Sequence, residues 1–140
     1  MSKTLAIHWT ATTHGTWLHG DRRGSWRSGK LIGADSRLEC ESRARMNWDA
    51  TRLDAAERQS VAAAFGEALA QHQQRAFAAM VQATHVHIVL APLQEDIRKV
   101  IARLKRRATM AVHSNSPAIL AGAPHTGPDG RTIWTAGRFY

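Results

Sequence analysis

A single cysteine, Cys40, stands in 140 residues, which excludes an internal disulfide and a four-cysteine zinc site. A reducing cytoplasm is the compartment such a chain fits. Long apolar runs are missing as well. Nothing approaches the ~18–20 apolar residues of a membrane span, and the start, MSKTLAIHWTATTHG, reaches His8 before the apolar core of an export signal could form. Tyrosine is as scarce as cysteine, Tyr140 being the one example. Acid is short too: 11 Asp and Glu face 19 Lys and Arg, for a net charge of +8. A domain so basic points to a polyanionic partner, nucleic acid first, although charge alone also fits a merely solvated surface.

What is present is an ordinary globular balance, 44% hydrophobic and 21% charged, in a length that suits one domain spanning residues 1–140. In TLAIHWTATT, residues 4–13, Leu5, Ile7 and Trp9 alternate with Ala6, His8 and Thr10, the period of a strand. Five glycines from Gly15 to Gly33 then break all periodicity. The stretch reads as a long ordered loop, and a structureless connection of that length needs a reason such as binding. It carries Trp17, Arg22, Arg23, Trp26, Arg27 and Lys30, so indole rings could stack bases while cations hold phosphates, or the rings could simply pin the loop. Asp21 reads as a turn residue.

Weak helical order is expected near Leu38–Met46, then a firm helix from Asp54, capped with Glu57 and carrying Val61, Phe65 and Leu69, through about Gln73. RAFAAMVQAT and HVHIVLAP read as two strands joined by a hairpin at Ala83 and Thr84. From Gln94 to about His113, the stripe Ile97, Val100, Ile101, Leu104 and Ala108 marks an amphipathic helix. Its other side carries Arg98, Lys99, Arg103, Lys105, Arg106 and Arg107, expected to lie in solvent as a phosphate-binding ridge or a plain solubilising face. A Pro/Gly-rich loop and a last strand, TIWTAGRFY, complete the chain. Strand, helix, strand, strand, helix, strand is the split βαβ order of a ferredoxin-like α+β domain. It predicts one antiparallel sheet with two main helices on one face, and the first and third strands side by side at its centre.

In HVHIVL the alternation puts Val86, Ile88 and Leu90 on the helix side and His85, His87 and Val89 on the open side. Two imidazoles two residues apart on a strand can converge on one divalent cation, though satisfied or solvated histidines give the same pattern. His8 alternates onto the same face of its own strand.

The early strand AIHWTATTHGTWLHGDRRGSW, the motif THVHIVL, the helix IRKVIARLKRRATMAV and the late IWTAGRFY together resemble the HUH endonucleases, and among them the single-tyrosine transposases. The closest likeness is to the REP-associated tyrosine transposases and transposase-like proteins. The resemblance implies metal-dependent nicking and joining of single-stranded or hairpin DNA in DNA transposition and recombination. It implies that His85 and His87, with His8 as a further candidate, hold a magnesium or manganese ion that polarises the scissile phosphate. A tyrosine would form the phosphotyrosine link. Members act as monomers or dimers, so a homodimer is one implied assembly. The family's nucleophile sits on a helix after the last strand, whereas Tyr140, the only candidate here, falls on the strand itself, and Thr84 replaces the usual asparagine. The expectation is a transposase-like domain lacking its catalytic helix, which forms no covalent link to DNA. Two rivals stay open: a nucleic-acid-binding module with inert histidines, and a two-histidine phosphoesterase, of whose paired His-x-Thr signature only His8–Thr10 is present.

Overall fold

The computed structural model describes residues 3–46, 49–114 and 133–134. Its main sheet has three antiparallel strands, β1 (Ile7–Thr12), β4 (Ala76–Val81) and β5 (His85–Leu90), in the order β1-β5-β4. Between β1 and β4 in sequence come a small hairpin, β2 (Ser25–Arg27) with β3 (Lys30–Ile32), and two helices, α1 (Ser36–Ala44) and α2 (Ala55–Gln71). Helix α3 (Ile97–Ser114) follows β5. The strand next to β1 is thus the third of the expected long strands, and the fold is an α+β, ferredoxin-like arrangement with helices packed on the sheet. Of the expected last strand, Ile133 and Trp134 are described, and Trp134 bridges Thr13 at the end of β1. Tyr140 lies outside the described residues. Among the described residues no helix is long and apolar enough to cross a membrane.

One face of the sheet is dry. Trp9, Ala11, Val86, Ile88 and Leu90 are buried with Val61, Phe65, Ala68 and Leu69 of α2 and Val100, Ile101, Leu104, Ala108 and Val112 of α3. Full burial of such side chains contributes roughly 1.5–3 kcal/mol each. Phe65 stacks on Trp134 with ring centroids 6.2 Å apart, Trp9 meets both, and the Trp134 indole donates to the Lys105 carbonyl at 3.0 Å. Helix α2 starts as its sequence dictates: the Asp54 carboxylate accepts from the Glu57 amide and the Glu57 carboxylate from the Asp54 amide. Helix α3 starts at Ile97 and not at Gln94. Asp96 closes its first turn, accepting from the Arg98 amide through its carboxylate and from Lys99 through its carbonyl.

Two expectations are corrected. The glycine-rich stretch is not loop throughout: it contains the β2–β3 hairpin, closed by Ser28 and Gly29, which both take positive φ (51° and 76°), the geometry of a type I′ turn. Leu5 does not share the buried face of Ile7 and Trp9. It is 79% exposed, since the strand begins only at Ile7.

Two anchors hold the loop in place. Gly20 (φ 93°) lies so close to the start of α1 that a Cβ would overlap the Asp35 carbonyl oxygen and the Glu39 amide. Buried Thr13 ties the end of β1 to two other segments, its hydroxyl 2.6 Å from the Thr51 carbonyl and 3.1 Å from that of Thr84. The start of the loop, the turn between β4 and β5 and the lead into α2 therefore meet at one corner of the sheet.

Candidate functional site

Strand alternation puts the histidines where the sequence places them. Val86, Ile88 and Leu90 are buried under the helices, while His85, His87 and Val89 alternate with them on the open face. Register brings Thr10 opposite His87 and Thr12 opposite His85 across β1, with Met80 opposite His87 on β4. The His85 and His87 rings stand edge to face, centroids 5.1 Å apart, and His8 stacks on His87 at 5.4 Å.

The hydrogen bonds sort these nitrogens. Thr84 Oγ1 lies 3.2 Å from His85 Nδ1, and Thr10 Oγ1 lies 3.0 Å from His87 Nδ1. Each motif imidazole thus has its Nδ1 beside a hydroxyl, which orients the ring; where Nδ1 is the protonated nitrogen, Nε2 is the one with a lone pair to offer. Imidazole nitrogen suits manganese or zinc better than magnesium, which favours oxygen. His8 is close, as expected. Its Nε2 is 3.2 Å from His87 Nδ1, so that nitrogen faces a neighbouring ring. Among the described residues no three His, Cys, Asp or Glu side chains form a group able to hold a metal.

A cavity of about 210 Å³ opens beside the motif histidines, lined by Thr10, Thr12, Thr16, Thr84, His85, His87, Trp17 and Arg23. Thr12 and Thr16 are lining residues that the sequence does not single out, although Thr10 and Thr12 obey the same alternation as His8. Trp17 is held by its indole N–H, which donates to the Gly24 carbonyl at 2.8 Å. The Arg23 guanidinium lies 4.5 Å from the centre of the Trp17 ring. Asp21 occupies a turn as expected, but it also grips Arg23: Nε donates to Oδ1 at 2.8 Å and Nη2 to Oδ2 at 2.6 Å. Chiefly through that bond, the Asp21 carboxyl is lowered to about 2. Arg22, Trp26 and Arg27 belong to the same loop and are exposed, Trp26 opposite Leu31 on the small hairpin.

The remaining candidates sit elsewhere. Arg98, Lys99, Arg103, Arg106 and Arg107 belong to α3, in the helical layer across the sheet from the histidines. Arg98 is exposed and paired with Asp96, and Arg106 is exposed. Arg103 corrects the expected ridge. It folds back onto Glu95 with contacts of 2.8 and 3.1 Å, its side chain is 24% exposed, and Gln74 also donates to Glu95. Glu95 is held below the usual carboxylate range by that guanidinium. Helical periodicity could not show this, because the acid lies before the helix and is brought back by the turn. Lys105 is likewise half-buried, and burial pushes its ammonium down. Arg107 reaches Gln71 at 3.4 Å, and with Arg103 and Arg106 it lines a groove of about 480 Å³ between α2 and α3. The motif histidines and the α3 cations therefore lie on opposite sides of the sheet. No protein-family model, curated protein or solved structure matches this chain.

Proposed function

We propose that the domain binds single-stranded or hairpin DNA on the open face of its sheet, seating a backbone phosphate beside His85 and His87, as a transposase-like HUH module. The carrying observation is the cavity that joins those two imidazoles, four threonines, Trp17 and Arg23. Imidazole and hydroxyl groups suit phosphate oxygens, and an adjoining aromatic wall suits the base of an unpaired nucleotide. The net charge of +8 supports a polyanionic partner.

A divalent cation held through Nε2 of His85 and of His87, with water and phosphate oxygens completing its shell, would polarise the phosphate bound there. The chain's own part is to orient the two rings through Thr84 and Thr10 and to present the phosphate on a rigid strand. The phosphoesterase alternative fits less well. His8 and His87 hydrogen-bond each other, whereas that chemistry requires two histidines on either side of a phosphate.

The test has two arms. Fluorescence anisotropy with a labelled single-stranded oligonucleotide should show binding that weakens with salt. Calorimetry with Mn²⁺ should show an uptake that His85→Ala and His87→Ala both lose and His8→Ala keeps. Absence of single-strand binding at low salt would sink the DNA reading. Mn²⁺ uptake indifferent to both motif histidines would sink the metal reading while leaving the first intact. Sizing of the free and bound protein reads the homodimer that the resemblance implies.

A further inference from the structure

We propose that Trp17 and Arg23 form the stacking surface for one unpaired nucleobase, and so fix which nucleotide of a bound strand offers its phosphate to His85 and His87. This rests on the open face being a single-strand DNA site, and deepens it by dividing the cavity into a base side and a phosphate side.

The division follows from the donors of Arg23. Its Nε is committed to Asp21, and its Nη2 to Asp21 and to the Thr16 carbonyl at 2.8 Å. A guanidinium bound this way has its charge offset by a neighbouring carboxylate and few hydrogens left for a phosphate. It keeps its flat faces. Its carbon lies over the indole, 4.5 Å from the ring centre, and a base is the natural next layer, since bases stack on aromatic rings and on arginine planes alike. The indole is fixed beforehand by its bond to the Gly24 carbonyl, so ordering it costs the complex little entropy. The polar side of the cavity is made by Thr10, Thr84 and the motif imidazoles. At about 210 Å³ the cavity is below the roughly 300–1,000 Å³ that encloses a drug-sized ligand, so it seats at most one nucleotide, part of it in solvent, and not a stretch of strand.

The probes are two single-stranded oligomers of abasic deoxyribose phosphate, one carrying a single thymine and one carrying none. A strand can slide until its only base finds the stack, so the comparison does not depend on register. The single base should tighten binding to the wild-type protein by roughly 5–150-fold, the span measured for one stacked base. Trp17→Ala should show no gain and Trp17→Phe most of it. Arg23→Gln should lower the gain while leaving the salt dependence as it was. Equal gains in wild type and Trp17→Ala would overturn the proposal, and so would an Arg23→Gln protein whose log–log salt slope falls by about 0.7, the mark of a phosphate contact. A wild-type protein that binds ordinary single strands but ignores the thymine refutes the stacking surface alone. One that binds neither kind of strand refutes the DNA reading beneath it.

Discussion

Val86 and His87 are chain neighbours, as are His8 and Trp9, yet each pair straddles the sheet and its members do different work. On the helical side the buried side chains are apolar, and Trp9, Phe65 and Trp134 close the core. On the open side the same two strands present imidazoles and hydroxyls that hydrogen-bond one another and line a cavity. Burial energy lives on one face and the polar cluster on the other. A strand covered on one side only can carry both, because the rigidity supplied by the packed face holds the polar face still.

The sharpest way to break this comparison is to truncate adjacent residues on opposite faces. Ile88→Ala should destabilise the fold by about 2–5 kcal/mol in urea denaturation, through lost burial and a cavity. His87→Ala should change stability by about 0.5 kcal/mol or less while removing Mn²⁺ uptake. Similar losses of stability from the two would mean that the faces are not distinct.

A smaller effect asks which layer meets DNA. Arg22 is exposed next to the cavity's Arg23, and Arg106 is exposed in the helical layer. With the strand on the open face, Arg22→Gln should flatten the log–log salt slope by about 0.7 and Arg106→Gln should leave it unchanged. The reverse result would move the DNA path to the groove between α2 and α3.

The smallest effect concerns the clamp at the cavity wall. The Asp21 carboxyl is lowered from 3.8 to about 2 in the folded protein, so its contribution is complete above the unfolded value and lost as pH falls through the folded one. The stability difference between wild type and Asp21→Asn should hold constant from pH 7 to about 4 and then shrink toward pH 2. A difference that instead fades above pH 5 would show that Asp21 does not pair with Arg23 in solution.

Much of this two-faced arrangement is legible in the amino-acid sequence. The period of two in HVHIVL chooses a face for each side chain, and the Asp54–Glu57 spacing marks the start of α2. Arg103 and Arg23 mislead for one shared reason. Both look like free cations in the sequence, and each is held by an acid the turn brings back to it, Glu95 eight residues earlier and Asp21 two residues earlier. The β2–β3 hairpin escapes notice because its turn uses a serine with positive φ, where asparagine or glycine is the usual signal.

The sequence by itself determined which residues are apolar at which period, and thereby the element types, the buried stripe of α3 and the common face of His85 and His87. Those are local properties, set by the geometry of a strand or a helix over a few residues. Only the tertiary structure decided what those faces meet. The register of β1 on β5 set Thr10 against His87, the Thr13 anchor brought the loop to the end of the strands, and the order of layers put the basic helix across the sheet from the histidines. Each of these joins residues tens of positions apart in sequence, and no local pattern of hydrophobicity encodes such a distance.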